Sequence, residues 1–509
     1  MLLALITAVS ALLRWHSIGS KSIWIDEAVS VALAQASWSN FWREVWSYEG
    51  NMVFYYLLLR GWIHLGQSEV AIRSISVLFG VAAIPAIYLL GKRLFDRETG
   101  LTGAALLAVH AAHIQFSQEA RSYSLLLLLL ILSTSFFVLA IETGPRKTRW
   151  LAYIFLSAAA VYSHVLAVLI LGAQWLSLGS VRLRQIGLKN ILGVLGCLAV
   201  LVGPMAAFLM VHNKGQIDWI PRPTVRLVAH GFGFLTGGGV ILLFLAYSGA
   251  CALAAAGRRD AHENEPAPPD NFPVRLLSFS VIFPIAFLLA FSFLIQPLFS
   301  YRYLGLCVPA LVLLAAHGLS CLKQRFVAAR WAMPAALILL LGFSLLGVSR
   351  YNRDSARSGN DWRSATRYLL ERQESGDAVI FYIASGYRPF AYYIHRQTAG
   401  EASRSLLTVL FPEAGSDTDV RVPPSPQQID LLTKNYQRIW MVLHHENVGQ
   451  PGFIRFMLPR NLRCVEEREF PGKWPNGIKV DLCSHRTLLS KLHAGEHRET
   501  ADQRNLMRK

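Results

Sequence analysis

The sequence predicts a polytopic α-helical membrane protein with about eleven transmembrane helices and a C-terminal extracytoplasmic α/β domain, and three observations predict it. The 509 residues are 53% hydrophobic against 16% charged, with a mean hydropathy of +0.37; this composition excludes an ordinary soluble enzyme and a disordered scaffold. Eleven apolar segments read as crossings of roughly 30 Å of hydrocarbon, the fifth and sixth of them short. The last third of the chain instead alternates helix-like and strand-like text.

In order, the apolar segments fall at about 1–18, 70–90, 101–117, 123–141, 150–163, 165–180, 190–211, 228–256, 274–296, 303–320 and 331–349. The first has no basic start and no small-residue cleavage site, so an uncleaved span is expected. Ser163 and His164 must turn the chain between the fifth and the sixth.

Lysine and arginine number 49 against 32 aspartates and glutamates, a net charge of +17. In the membrane half most of this charge sits in short loops, where topology uses it. With the N-terminus inside, the internal loops carry Lys92, Arg93 and Arg97; Arg146, Lys147 and Arg149; Arg182, Arg184 and Lys189; Arg258, Arg259 and Arg275; Lys323, Arg325 and Arg330. The external connections near 118–122, 163–164 and 297–302 carry only Arg121 and Arg302. An odd number of spans then places residues 350–509 outside. No basic-aromatic platform or DNA-binding motif appears, so no nucleic-acid partner is expected.

The expected domains are residues 1–349, with an external loop at 19–69, then an α/β domain over 350–485 and a disordered tail over 486–509. The loop holds ASWSNFWREVW and VFYYLLLRGWIHLG, aromatic stretches suited to lying in the membrane interface. In the C-terminal region DWRSATRYLLERQ precedes DAVIFYI, and QQIDLLTKNYQ precedes RIWMVLHH; a strand pair follows around Cys464 and Cys483. Those two cysteines are spaced to form a disulfide in an oxidising compartment, whereas Cys197, Cys251, Cys307 and Cys321 act as small hydrophobes. PPSPQQ near 423–428 is expected to be a loop.

Ionisable groups at a membrane edge are expensive, which makes them the first candidates for chemistry. They are Asp26 and Glu27 in SIWIDEA, Arg73 at the outer end of span two, Glu119 and Arg121 in SQEARSY, His164 in its hairpin and Arg302 in FSYRY. A carboxylate here can take a proton from an acceptor hydroxyl, while arginines hold the phosphate of a lipid carrier and stabilise it as a leaving group. Structural roles compete with this chemistry. Asp26 and Glu27 suit a helix N-terminus, Glu119 and Arg121 a structural ion pair, His164 a turn, and Arg73 and Arg302 snorkelling to headgroups. Asp361-Trp362-Arg363 is expected to be a cap and packing element.

At these residues the chain resembles the GT-C membrane glycosyltransferases. W-x-D-E-A at 24–28, Y-Y-L-L-L-R-x-W at 55–62, R-x-x-S-x-L-F-G at 73–80, Y-L-L-G-K-R-L-F at 88–95, Q-E-A-R-S-Y-S-L at 118–125 and R-Y-L at 302–304 carry the resemblance. The branch it is most similar to is the family 39-like group of protein O-mannosyltransferases and lipid A aminoarabinose transferases. The resemblance covers roughly residues 20–350. It implies inverting transfer of a sugar from a polyprenyl-phosphate-linked donor to a lipid, glycan or protein acceptor outside the cytoplasmic (inner) membrane. It also implies Asp26 as general base with Glu27 supporting or replacing it, Glu119 and Arg121 helping to shape the donor and acceptor site, and Arg302 contacting the lipid phosphate; Arg73, Tyr123 and His164 are further candidates on the donor side. Where many relatives have His-Pro-Pro, this chain has Gly50 to Phe54. No ligand cluster marks a metal site, so no essential cofactor is expected; a divalent cation shared by Asp26, Glu27 and Glu119 is the alternative. The competing classes are a transporter or flippase of a lipid-linked substrate, which would place charges and broken helices near the midplane, and a non-catalytic assembly partner.

Overall fold

A computed structural model describes residues 1–142, 146–212, 217, 220–238, 247, 249–251, 271–325, 331–358, 360–397, 407–412, 425–444, 462–470 and 477–485. The chain divides into two units, one of Met1–Ile18 with Leu33–Arg353 and the other of Gly19–Ala32 with Asp354–Lys509. The start of the expected external loop therefore groups with the C-terminal residues, and not with the membrane half. The boundary also falls after 349, because the helix of the last span, Ala332–Ser358, continues unbroken through a polar stretch.

Among the described residues of the membrane unit, six segments are long and apolar enough to cross a bilayer alone: Glu69–Leu94, Tyr123–Glu142, Leu188–Val211, Phe272–Leu294, Tyr301–Cys321 and Met333–Arg353. The other expected spans differ. Helices α1 (Leu2–Trp15), α9 (Lys147–Ser163) and α10 (Ala167–Leu176) are shorter. Of the segment 228–256, helix α13 (Val225–Leu235) covers the start; most of its remainder lies outside the described residues. The expected tail 486–509 also lies outside them.

The span expected at 101–117 is two helices, α6 (Arg97–Ala108) and α7 (Ala111–Ser117). A buried cation accounts for the break. Arg14, 0% exposed on α1, donates to the carbonyls of Ala108 at 2.9 Å and Leu107 at 3.2 Å. An uninterrupted helix would direct those carbonyls along its own axis. Arg14 also bonds the Ser10 hydroxyl and lies 2.6 Å from His113 Nδ1, so carbonyls, a hydroxyl and an imidazole compensate its charge.

Helix α5 (Glu69–Leu94) packs on α6 through glycines. A Cβ on Gly91 would stand 2.9 Å from the Gly100 Cα, the close approach that small residues permit between membrane helices. Helices α8 (Tyr123–Glu142), α9 and α10 share buried polar bonds. Tyr153 donates to Gln174 at 3.0 Å, Gln174 to Thr134 at 3.0 Å and Trp175 to Tyr153 at 3.0 Å. At one end of the bundle Arg93 pairs with Glu142 at 3.1 Å and Arg182 lies 4.0 Å over the Phe272 ring. The connections 118–122, 164–166 and 295–307 meet at the other.

The second unit contains a five-stranded sheet in the order β2-β1-β3-β5-β4. Strands β1 (Ala378–Phe381), β2 (Thr408–Phe411) and β3 (Arg438–His444) are parallel, while β4 (Leu462–Phe470) and β5 (Ile478–His485) form the antiparallel edge. Helices Trp362–Arg372, Tyr387–Gln397 and Pro426–Thr433 alternate with the parallel strands. Cys464 and Cys483 face each other across β4 and β5 and are bonded as a disulfide. The PPSPQQ segment, expected to be a loop, starts a helix: Ser425 and Gln428 form a reciprocal capping box with Pro426 in the first turn.

The two buried carboxylates beside the sheet, Asp377 and Asp481, differ. Asp377 accepts from Arg438 and from the Trp440 indole at 2.8 Å each. Asp481, 0% exposed, has no hydrogen-bond partner on either oxygen, and the Lys479 ammonium is 3.9 Å away. Burial pushes its carboxyl up to about 7.

Candidate functional site

Within the membrane unit, three connections that are far apart in sequence assemble a polar cluster. The short helix α7 delivers the first. Its end is pinned by Gln118, whose amide donates to the carbonyls of Arg14 at 3.1 Å and His16 at 2.8 Å. The next residue is Glu119. The third connection follows the helix Phe272–Leu294, where the Ser292 hydroxyl accepts the backbone N–H groups of Leu298 and Phe299 at 2.9 and 2.7 Å. That turn leads into Tyr301–Cys307, a 3₁₀ segment bearing Arg302.

Glu119 and Arg302 meet at 2.6 Å, with side chains only 12% and 14% exposed. Gln115, one turn earlier on α7, donates to the same Glu119 Oε1 at 3.1 Å. Glu119 Oε2 is buried and has no hydrogen-bond partner. The carboxylate is thus held on one oxygen and open on the other. The Arg302 guanidinium lies 5.4 Å from the Tyr123 ring, and Tyr123 stacks on Phe116 at 4.6 Å. Gly305 makes room for this stack, since a Cβ there would stand 2.4 Å from the Phe116 ring.

The second connection contributes His164, which ends α9 in an extended conformation. Its Nδ1 accepts the Leu166 N–H at 3.3 Å, which leaves Nε2 to carry the proton in the neutral ring. That nitrogen is buried without a hydrogen-bond partner. His164 packs edge-on against Tyr303 at 5.4 Å. Together with Phe116, Tyr123, Arg302 and Tyr303 it lines a narrow pocket.

Two other expected residues are held by partners of their own. Arg121 is buried and donates to the Tyr56 hydroxyl at 3.4 Å, which in turn donates to Glu49 at 2.8 Å. Arg73, 2% exposed, donates to the Ile18 carbonyl at 2.8 Å; its place is inside the bundle, not snorkelling at the lipid surface. The ion pair expected between Glu119 and Arg121 gives way to the pair with Arg302, because the turn at 118–122 directs the carboxylate toward the third connection. Among the described residues no three of His, Cys, Asp and Glu gather as metal ligands.

Asp26 and Glu27 belong to the second unit. Both lie in the first turn of helix α2 (Ile25–Gln35). Glu27 is 0% exposed and turns back to accept the Trp24 N–H at 3.4 Å, half of a capping box. Asp26 is partly exposed.

Glu49, Tyr56, Gln115 and Tyr303 escaped the sequence reading. Tyr56 and Tyr303 stood inside quoted motifs, but their partners are distant in sequence. The overlooked signal was Arg14, an arginine inside an apolar run.

Residues 52–208 match the sequence model of the family described as dolichyl-phosphate-mannose-protein mannosyltransferase. They include Arg73, Glu119, Arg121, Tyr123 and His164, while Asp26, Glu27 and Arg302 lie outside the match. No curated protein sequence matches the chain. Among solved structures, apo ArnT from Cupriavidus metallidurans superposes with a TM-score of 0.63 at 13% identity, over 94% of this chain and 97% of that one. ArnT bound to undecaprenyl phosphate gives 0.62 at 13% identity, over 95% and 98%. The apo oligosaccharyltransferase of Archaeoglobus fulgidus gives 0.53 at 11% identity, over 89% and 70%. These identities make the structural likeness one of fold. With the family match, they bear out the resemblance to GT-C, family 39-like membrane glycosyltransferases.

Proposed function

We propose that this multi-pass membrane protein transfers a sugar from a polyprenyl-phosphate-linked donor to an acceptor hydroxyl at the outer face of the cytoplasmic membrane. The observation that carries the proposal is the buried Glu119–Arg302 pair beside His164 Nε2. A fixed cation and a neutral N–H donor on neighbouring connections suit a lipid phosphate, whose charge grows as it leaves. The ArnT complex with undecaprenyl phosphate supports this donor class, and the concentration of loop lysines and arginines at the other end of the bundle supports the orientation.

The reaction is a single displacement with inversion. An acceptor oxygen attacks the anomeric carbon, its proton passes to a carboxylate, and the bond from that carbon to phosphate breaks. Asp26 is assigned as the base and Glu27 as the cap that fixes it, since Glu27 is already committed to the Trp24 N–H. Arg302 and Arg121 stabilise the departing phosphate, with Tyr123 and His164 shaping its pocket. Glu119 orients Arg302, and Arg73 supports the scaffold. No step calls for a metal or other cofactor. The sugar and the acceptor class, whether lipid, glycan or protein, are identified by the product.

The test is sugar transfer from radiolabelled polyprenyl-phosphate sugars by purified protein in detergent, with membrane extract as acceptor. Wild type is compared with Asp26→Asn at equal folded yield. Loss of turnover only in the variant is expected, by about 100-fold or more if the carboxylate is the general base. Equal turnover removes Asp26 as base. Absence of turnover with every sugar favours a transporter or flippase of a lipid-linked substrate.

A further inference from the structure

Gly19–Ala32 forms one unit with the C-terminal residues, and a small set of side chains accounts for this. The Tyr393 hydroxyl accepts the Ile23 N–H at 2.8 Å and the Ser22 hydroxyl at 3.2 Å. The Arg363 guanidinium donates to the carbonyls of Gly19 at 3.0 Å and Lys21 at 3.4 Å, and its backbone N–H donates to the Ser22 hydroxyl at 3.1 Å. Ile23 is 0% exposed and Tyr393 2%. The segment 19–24, which leads into α2, is therefore tied to two helices of the C-terminal domain.

These two anchors are themselves fixed. Arg363 is the second residue of the helix Trp362–Arg372, which Asp361 caps by accepting the Ser364 N–H at 3.0 Å. Tyr393 lies on Tyr387–Gln397 and packs edge-on against Tyr392 at 5.0 Å. The first helical turn begins directly beyond the anchored residues. Trp24 accepts the Ala28 N–H at 3.0 Å, Glu27 caps back onto Trp24, and Ser30 donates to the Asp26 carbonyl at 2.9 Å. The direction of a helix's first turn follows from the path of the residues entering it, so the hold on Ser22 and Ile23 sets where the Asp26 carboxylate points.

We infer that Tyr393 and Arg363 are positioning residues for Asp26, and that one task of the C-terminal domain is to hold the segment bearing the base. This rests on the reading of Asp26 as the base given above. A carboxylate acting on an acceptor proton must sit within hydrogen-bond reach of it. A displacement of about 1 Å from that position costs up to about 100-fold in rate.

The experiment uses the full chain in detergent and two readouts. In the first, Tyr393→Phe, Arg363→Met and Asp26→Asn are combined in a double-mutant cycle on sugar transfer. Each anchor variant is expected to lower kcat by about 10- to 100-fold with the KM for the lipid-linked donor unchanged, and to have no further effect in the Asp26→Asn background. Additive losses in that background overturn the inference. In the second readout, amide hydrogen exchange over residues 19–32 is expected to accelerate in Tyr393→Phe while exchange over β3 stays as in wild type. Unchanged exchange over 19–32 overturns the anchoring whether or not the protein turns over. Absence of wild-type transfer with accelerated exchange overturns the transferase reading and leaves the anchor standing.

Discussion

The Glu119–Arg302 pair has different consequences for stability and for chemistry. Removing one member of a buried ion pair leaves the other charged and uncompensated, at about 3–5 kcal/mol. Arg302→Met is therefore expected to lower both the thermal midpoint and transfer. Adding Glu119→Gln should restore the midpoint without restoring transfer, because the phosphate-binding cation stays absent. Recovery of transfer in the double variant would leave Arg302 a purely structural role. Asp481 makes a prediction of opposite kind. Its folded-state pKa of about 7 lies above the ordinary 3.8, so between those values the folded state binds more protons and stability falls as pH rises. Asp481→Asn cannot ionise and should remove that slope, so stability that falls from pH 5 to pH 8 in wild type stays level in the variant, as measured by exchange over β5 at the two pH values. Asp26, Glu27, Glu119 and Arg302 were legible as candidates because charge is rare near apolar runs. Their partners were not, since nothing local in the sequence joins Glu119 to Arg302 across 183 positions.

Helix α7 exists as a separate element because Arg14 draws the carbonyls of Leu107 and Ala108 away from the helix axis. Arg14→Met should leave those carbonyls and His113 without their charged donor, destabilising the bundle by on the order of 3 kcal/mol. It should also release the turn that presents Glu119, so transfer falls further than the loss of folded protein explains. Thermal unfolding and specific activity at equal folded yield check this, and equal specific activity would separate α7 from the site. Hydropathy located the run 101–117 but not the break within it, because alanine and leucine continue on both sides. In PPSPQQ the prolines drew attention from Ser425 and Gln428, whose spacing is a helix start. Cys464 and Cys483 were legible as a pair because, unlike the other four cysteines, both lie in the polar C-terminal third at a separation a disulfide can close.

For the molecule as a whole, the loop charges carried more information than the spans. Five basic loops alternating with three sparse ones give two distinct ends, and the contacts of Arg93 with Glu142 and Arg302 with Glu119 lie at opposite ends accordingly. The grouping of residues 19–32 with the C-terminal domain was not legible, because it depends on Tyr393 and Arg363, more than 330 residues downstream. The hydrogen bonds among Thr134, Tyr153, Gln174 and Trp175 bear on how the chain is held in the bilayer. Helix α10 has ten residues, about 15 Å of rise, half of what hydrocarbon demands, and it carries a buried glutamine. Such a segment does not enter lipid by its own hydrophobicity. Its glutamine is satisfied only by Tyr153 and Thr134, so α10 is expected to be stable in the bilayer only together with α8 and α9, as one unit of three helices.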